Sequence, residues 1–118
     1  MAIQLEMLTR PSDFARLQQD GASRGGRLLS VRVVRNGLEC SRFGFSTGRK
    51  IGTAVARNRV RRRLRAILAA LAPRLDRGWD VLVVARPPSV DASYPDLAGS
   101  LERLLGRSGI LRSGESAP

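Results

Sequence analysis

Residues 53–72 read TAVARNRVRRRLRAILAALA, and the spacing of the apolar residues in this stretch decides the architecture of the chain. Large apolar side chains recur at offsets of 0, 4, 7, 8 and 11 from the first, at Val60, Leu64, Ile67, Leu68 and Leu71. This is the period of an amphipathic helix whose apolar stripe packs on a core. The stretch therefore predicts one long helix, and the flanking sequence must supply the surface that it covers.

A strand pattern follows the predicted helix. Pro73 and the turn-forming residues 76–78 end the helical pattern, and WDVLVVA at residues 79–85 is an unbroken apolar run. Such a run is typical of a strand that is covered on both faces. We therefore expect residues 79–85 to form a central strand of a small sheet.

Two further strand patterns precede the helix. RLLSVRVVR at residues 27–35 and SRFGFST at residues 41–47 are separated by a segment that begins with Asn36-Gly37, which is a strong hairpin signal. We expect these two strands to pair antiparallel, with Phe43 and Phe45 together in the sheet core. Cys40 is expected to be a small buried strand residue.

The first part of the chain predicts a short helix. Ser12 or Asp13 can cap its N-terminus, Phe14 and Leu17 share one face, and Gly21 follows its end. A last helix is predicted after Ser93, which forms a capping box with Asp96. Its apolar stripe consists of Tyr94, Leu97, Leu101, Leu104 and Leu105, and Gly106 closes it.

The order of these elements predicts an α+β fold in which helices cover a small sheet. One strand-helix-strand crossover is implied, and ordinary statistics favour the right-handed form. The chain has 118 residues and 42% hydrophobic content, which suits a single domain over residues 1–118. The small polar tail at residues 112–118 is expected to be disordered.

The charge balance predicts a polyanionic partner. Twenty-one basic residues stand against ten acidic residues, which gives a formal net charge of +11. No long apolar span indicates a membrane, and the beginning MAIQLEMLTRPSDF does not resemble a secretory signal, so we expect a cytoplasmic protein. Histidine is absent and cysteine occurs once, which argues against an internal disulfide, a multi-cysteine metal cage and independent protein catalysis.

The basic residues are concentrated on the predicted helix. No acidic residue occurs between Glu39 and Asp76, whereas ten basic residues do, and RNRVRRRLR at residues 57–65 contains six arginines. With Val60 at 0° on a helical wheel, five arginines fall between roughly 100° and 300°, outside the apolar stripe: Arg59, Arg61, Arg62, Arg63 and Arg65. An ordinary solvated face would interleave acidic residues, so this face predicts contact with nucleic acid.

Polar residues at the start of the helix extend this prediction. Asn58 can hydrogen-bond a phosphate, a ribose hydroxyl or a base edge, or it can serve only as a polar residue near the helix start. Upstream, Gly48 and Gly52 flank Arg49 and Lys50, which suits a loop whose backbone approaches RNA close to a helix N-terminus.

These residues carry a family resemblance. GRKIGTAVARNRVRRRLR at residues 48–65 closely resembles the signature of the bacterial ribonuclease P protein, whose core is an Arg-Asn-Arg motif followed by basic residues on one helix. The resemblance continues with Asp13-Phe14, with RFGFS at residues 42–46 and with residues 78–86, and it covers about residues 8–106.

The resemblance implies a fold and a partner. The fold is a two-layer α-β sandwich in the order α-β-β-(β)-α-β-α, with an unusual left-handed crossover, like a domain of a small-subunit ribosomal protein. The partners are the catalytic RNA of ribonuclease P and precursor tRNA, whose 5′ leader the holoenzyme removes. The residues that would face the catalytic RNA are Arg49, Lys50, Arg57, Asn58, Arg59, Arg61, Arg62 and Arg65.

The resemblance also implies a cleft for the single-stranded leader, between the sheet and the first helix. Phe14 and residues 31–33 match that cleft, but two positions that are often aromatic in the family are Gln18 and Arg32 here. A guanidinium can stack on a base, whereas the Gln18 amide cannot replace a π-face. Phe14 and Arg32 are therefore the leader-binding candidates, with a plain core role as the alternative for Phe14.

The chemistry of this family implies that the chain itself holds no catalytic residue and no metal. Mg²⁺ serves the holoenzyme and is bound mainly by the RNA, and neither a membrane nor an obligate protein partner is expected. Two other functions remain open from the residues alone. One is a general or ribosomal RNA-binding protein; the other is a self-sufficient Mg²⁺ nuclease that uses Asp76, Asp80, Asp91 and Asp96.

Overall fold

The helix predicted over residues 53–72 is the longest helix of the structure. The computed structural model describes residues 5–111, apart from the side chain of Arg49, and this helix, α2, spans Ala54–Leu71. Thr53 caps its N-terminus, since its hydroxyl accepts a hydrogen bond of 3.1 Å from the Ala56 amide. The prediction is confirmed, because all five residues of the apolar stripe are buried.

Three α-helices and a five-stranded mixed sheet make up the regular structure of residues 5–111. The other elements are β1 (Glu6–Met7), α1 (Pro11–Asp20), β2 (Ala22–Gly25), β3 (Leu29–Arg35), β4 (Arg42–Ser46), β5 (Trp79–Ala85) and α3 (Tyr94–Arg107). The sheet order is β1-β4-β5-β3-β2, with β5 in the centre as predicted. The α+β class is confirmed.

The predicted hairpin between β3 and β4 is wrong, because β5 lies between these two strands. Val81 of β5 is opposite Val33 of β3 on one side and Phe43 of β4 on the other. The segment 36–41 is long enough to cross the start of β5, since neighbouring strands lie about 4.8 Å apart. The backbone N–H of Asn36 donates a 2.9 Å hydrogen bond to the Gly78 carbonyl, which fixes the segment next to the start of β5. The more apolar strand takes the centre, where both of its faces are covered.

The strands β4 and β5 pair in parallel and are joined through α2, so they form the predicted strand-helix-strand crossover. The left-handed sense that the resemblance implies stays a prediction. Strand β1, which the sequence analysis missed, adds two residues in parallel beside β4. A two-residue strand is too short to produce a readable alternation.

The ends of the helices differ in detail from the predictions. Helix α1 is capped by Arg10 without a side-chain hydrogen bond, so neither Ser12 nor Asp13 is the cap. Pro11 starts the helix because its fixed φ suits the first helical position. In α3 the predicted N-cap is confirmed, because the Ser93 hydroxyl accepts a hydrogen bond of 3.2 Å from the Asp96 amide.

Helix α3 also departs from its predicted stripe and end. It continues past Gly106 to Arg107, and Gly109 adopts a φ of 81° beyond its end. Tyr94 is 42% exposed and lies outside the buried stripe, because it occupies the first position of the helix.

Two apolar cores lie on the two faces of the sheet. The larger core packs α2 and α3 against residues such as Val31, Val81 and Phe43, and Phe45 is half-buried against it. This confirms the core role of the two phenylalanines. Cys40 is exposed in the segment 36–41, so its predicted burial is wrong. The predicted disordered tail at residues 112–118 lies outside the described residues.

Helix α1 covers part of the second face. Leu8, Leu17 and Leu82 form the small core there, with Phe14 packed against it. Gly44 of β4 permits this contact, because a Cβ at that position would lie 2.8 Å from Cε1 of Phe14. Phe14 therefore depends on a residue without a side chain beneath its ring.

Gly44→Ala is expected to lower the free energy of unfolding by about 1–3 kcal/mol, because the methyl group would displace Phe14 and the helix that carries it. Urea unfolding measures this change. Gly48→Ala is the matched control, since a Cβ there meets no atom within 4 Å, and it should change stability by less than about 0.5 kcal/mol. Equal stability of the two variants would contradict the packing of Phe14 on Gly44.

Candidate nucleic-acid interface

One face of α2 presents a row of arginines to solvent. Arg59, Arg61, Arg62 and Arg65 are exposed, and Asn58 is exposed beside them. Val60 and Leu64, which alternate with these residues in the sequence, are 2% and 0% exposed. The helical period therefore separates the two kinds of residue as the sequence predicted: apolar side chains enter the core and guanidinium groups stand outside it.

Three of these arginines have no partner within the part of the chain that the structure describes. Arg59, Arg62 and Arg65 form no hydrogen bond and no ion pair with other residues in 5–111. Each guanidinium carries five N–H donors in a fixed planar fork. Like charges one helical turn apart repel each other by a few tenths of a kcal/mol, and an anion that bridges them would remove this repulsion. The three unpaired guanidinium groups are therefore available to bind phosphate groups.

Arg61 is exposed but held in place. Its guanidinium donates to the Thr47 hydroxyl at 2.7 Å and to the Asn58 side-chain oxygen at 3.2 Å. These contacts join the N-terminal half of α2 to the end of β4. They also occupy the Asn58 oxygen and leave the Asn58 NH₂ group to donate to an incoming acceptor.

Arg57 supports the helix start. It is half-buried and donates to the Gly52 carbonyl at 2.9 Å. Gly52 has a φ of 126°, which residues with a side chain rarely adopt. The Arg57 guanidinium therefore fixes the loop that leads into α2 and still offers its other N–H groups.

Arg63 has a different role from its neighbours. It is half-buried and donates to the carbonyl of Ala92 at 3.0 Å, just before α3. The helical period places it close to the apolar stripe. Arg63 thus joins α2 to α3 and does not belong to the exposed face.

The approach to α2 adds positive charge to this face. A short 3₁₀ helix, Arg49–Ile51, precedes α2, and it is anchored by Ile51, which is buried. Lys50 is exposed on it, and the side chain of Arg49 lies outside the described residues. The N-terminal end of α2 points partial positive charge at the same region.

The predicted leader-binding residues lie on the second face of the sheet, against α1. Arg32 is half-buried on β3, and its guanidinium lies 3.4 Å from the Gln18 carbonyl and 3.5 Å from the Gly21 carbonyl. Gln18 and Arg32 are therefore brought together at the C-terminal end of α1, where a cation is favourable. Both distances are long for hydrogen bonds, so the contacts hold Arg32 only weakly.

Phe14 lies further toward the start of α1, over Gly44, and is half-buried. The structure thus gives Phe14 a packing role and leaves part of its ring accessible. Beyond the reach of α1, the same face of the sheet continues through the half-exposed row Ser30, Val84 and Ser46, which lie opposite one another on three strands. This row and α1 outline an open cleft.

An ion-pair network that the sequence analysis missed lies under α1. Arg42 donates to the two Asp80 oxygens at 2.8 and 2.7 Å and reaches Asp13 at 3.3 Å. Asn36 donates to Asp80 at 2.9 Å. Asp80 is fully buried, and an acidic residue inside an apolar strand was the signal available in the sequence.

This network gives Arg42 and Asp80 roles that the sequence analysis did not predict. The hydrogen bond to Asp80, and the negative charges of Asp80 and Asp13, raise the pKa of the Arg42 guanidinium above its ordinary value despite partial burial. The sequence analysis counted Arg42 with the basic residues of the interval 40–75, but its charge is paired with Asp80 inside the protein. Asp80, a candidate metal ligand of a nuclease, is already neutralised by Arg42.

Comparisons with known proteins agree with one another. The family model described as Ribonuclease P matches residues 4–109. The ribonuclease P protein component of Roseiflexus sp. (strain RS-1) is 34% identical over 110 residues, covering 92% of this chain and 90% of the relative. That of Chloroflexus aggregans is 38% identical over 115 residues, covering 94% and 83%.

Solved structures show the same fold. The RNase P protein of Staphylococcus aureus matches with a TM-score of 0.84 and 26% identity, over 92% of this chain and all of that one. The RNase P protein of Thermotoga maritima matches with a TM-score of 0.79 and 27% identity, over 86% of this chain and 96% of that one.

Among the described helices, none is long and apolar enough to cross a membrane.

Proposed function

The chain belongs to the ribonuclease P protein family, and from this premise we propose that it is the protein subunit of a bacterial ribonuclease P that binds the catalytic RNA through α2. The observation that carries the proposal is the row of exposed arginines on α2, three of which have no partner in residues 5–111. Guanidinium forks bind phosphate bidentately, and their entry releases the counterions that the RNA had condensed.

The surface on α2 combines unpaired and positioned donors. Arg59, Arg62 and Arg65 would neutralise phosphates, while Arg61 is held by Thr47 and directs the free amide of Asn58 outward. An oriented amide can read a base edge or a ribose hydroxyl, which a charge alone cannot. Lys50, and Arg49 by its position in the chain, extend the same surface toward the loop before the helix.

The 5′ leader of precursor tRNA would occupy the open cleft on the second face of the sheet. Phe14 is only half-buried, and Arg32 offers a guanidinium plane that only long hydrogen bonds restrain. Both groups can stack on unpaired bases. Gln18, at one of the usual aromatic positions, would contribute hydrogen bonds in place of stacking. The leader is a single strand, and a sheet face with stacking groups suits it.

The chain itself would hold no catalytic residue, because histidine is absent from it and Asp80, the one fully buried carboxylate among residues 5–111, is paired with Arg42. The residues in 5–111 contain no cluster of three His, Cys, Asp or Glu side chains that suits a metal ion. Mg²⁺ would serve the holoenzyme and be bound mainly by the RNA, as the family resemblance implies. Neutralised phosphates would let the RNA active site engage its substrate at a lower Mg²⁺ concentration.

The family implies a holoenzyme that is an endoribonuclease, and the subunit would act within it by binding and orienting RNA. No obligate protein partner is required, since the proposed contacts are all with RNA. The proposed place of action is the cytoplasm, where precursor tRNA is processed.

Competition binding tests this function against that of a general RNA-binding protein. Labelled ribonuclease P RNA is titrated with the protein while ribosomal RNA fragments or mature tRNA compete. The proposal predicts that unlabelled ribonuclease P RNA competes at a concentration at least about tenfold lower than the others, since shape and base contacts add to the phosphate term. Equal competition by ribosomal RNA would favour the general RNA-binding function.

A further inference from the structure

A second basic groove lies between α3 and the turn that joins β2 to β3. Its volume is about 340 Å³, and it contains no residue of α2. Leu28, Ser100 and Leu104 form its buried floor. The groove is therefore separate from the arginine row on α2 and from the cleft under α1.

Three arginines stand on the two walls of this groove. Arg27 projects from the turn, and Arg103 and Arg107 project from α3, one helical turn apart. All three are exposed, and none forms a hydrogen bond or an ion pair with any other described residue. Asp96 is the acidic residue of the groove, and no arginine approaches it within ion-pair distance. The groove keeps a net positive charge.

The backbone of the turn is fixed, so that Arg27 is presented from a rigid base. The Gly26 amide donates to the Leu29 carbonyl at 2.8 Å, and the Arg86 amide donates to the Leu28 carbonyl at 2.9 Å. Leu28 and Leu29 are both buried. A rigid base lowers the entropy that a long side chain loses when it binds a ligand.

The positive charge continues around the edge of the sheet. The Arg86 guanidinium lies over Gly25 of β2, where a Cβ would come within 2.8 Å of one of its nitrogens. Arg86 is exposed and also forms no side-chain hydrogen bond with the described residues. Arg86 thus adds a fourth guanidinium group near the end of the edge strand, outside the groove itself.

We propose that this groove binds the phosphodiester backbone of RNA, so that the subunit holds RNA at a second surface besides α2; this inference rests on the proposed function. Arg103 and Arg107 on one wall and Arg27 on the other can each clamp phosphate oxygens bidentately. An extended chain of phosphates fits an open groove lined on both sides by such forks, and it would remove the repulsion between Arg103 and Arg107. The phosphates belong either to the catalytic RNA or to the substrate.

The test is RNA binding by Arg27→Ala/Arg103→Ala/Arg107→Ala as a function of salt concentration. One arm measures the Kd for the catalytic RNA, and the other measures the Kd of the assembled holoenzyme for precursor tRNA. The variant is expected to bind one of these RNAs about tenfold more weakly, and its slope of log Kd against log salt should fall by roughly 0.7–0.9 per lost phosphate contact. Arg77→Ala, which removes an exposed arginine at the opposite end of β5, is the control.

Each outcome is decisive. A smaller slope in the first arm assigns the groove to the catalytic RNA, and a smaller slope in the second arm assigns it to the substrate. Unchanged slopes in both arms, with normal binding by the wild-type protein, would overturn this inference and leave the proposed function intact. Wild-type protein that does not bind the catalytic RNA would instead overturn the proposed function. Since the three side chains have no hydrogen-bond or ion-pair partner in residues 5–111, thermal unfolding should stay unchanged and exclude misfolding as the cause.

Discussion

Replacement of Arg59, Arg62 and Arg65 by alanine is expected to weaken binding to the catalytic RNA by about a hundredfold or more at moderate salt. Each arginine is exposed and has no partner in residues 5–111, so each can give its full set of donors to phosphate. Hydrogen bonds to charged groups contribute about 1.5–3 kcal/mol each, and three losses together exceed two decades in Kd even without full additivity.

The slope of log Kd against log salt distinguishes lost phosphate contacts from a general loss of structure. Three lost contacts should reduce the slope by roughly two to three, because each contact releases nearly one counterion. Lysine at the same three positions keeps the charge but not the fork, so it should restore most of the slope and only part of the affinity. An alanine variant with the wild-type slope would contradict phosphate contact on this face of α2.

Arg42→Ala is expected to lower the free energy of unfolding by about 3 kcal/mol, the largest stability effect that the structure predicts for a single charged residue. It would leave the Asp80 carboxylate fully buried with Asn36 as its remaining side-chain donor. Removal of one partner from a buried ion pair typically costs about 3–5 kcal/mol. We expect the lower end of this range because the Arg42 side chain is 23% exposed. Denaturant unfolding measures the loss.

Two further measurements identify the cause of that loss. The double variant Arg42→Leu/Asp80→Leu removes both charges and should recover much of the stability, since an apolar pair can replace a buried ion pair. Because the pKa of Arg42 is raised, its contribution to stability is fully present below the pKa of arginine in the unfolded chain and is lost only as pH rises through the higher folded pKa. Equal losses in the single and double variants would contradict the unpaired carboxylate as the cause.

Local periodicity made the helices readable from sequence. The stripe from Val60 to Leu71 determines both the buried side of α2 and, by exclusion, its exposed arginine-bearing side, because neighbours on a helix are set by a fixed rotation. The central place of β5 was equally readable, since a strand buried on both faces needs a continuous apolar run.

Contacts between distant residues could not be read in the same way. Asn36-Gly37 reverses the chain as a hairpin would. The partner of β3 is decided, however, by which strand buries more apolar surface, and that strand, β5, begins about 40 residues after Gly37. The Arg42 ion pairs, the contact of Arg32 with the end of α1, and the groove around Arg27 and Arg103 all join separate segments. A sequence pattern carries no distance between such segments, so these features appeared only in the fold.

The exposed arginines were predicted as a group, but their individual roles were not. The sequence predicted Arg57, Arg59, Arg61, Arg62 and Arg65 as RNA-facing. The structure distinguishes Arg61 and Arg57, which also hold the backbone or a neighbouring side chain, from Arg59, Arg62 and Arg65, which hold nothing in the described residues. This difference selects the three positions of the first prediction.

Cleavage of a leader-bearing precursor tRNA at low Mg²⁺ tests the central claim most directly. Bacterial ribonuclease P RNA is assayed alone, with this protein, and with the Arg59→Ala/Arg62→Ala/Arg65→Ala variant, and the protein is also assayed without RNA. The account predicts that wild-type protein stimulates the RNA, that the variant stimulates it far less, and that the protein alone cleaves nothing. Folded, RNA-binding protein that fails to stimulate the RNA, or cleavage by protein freed of RNA, would contradict the account.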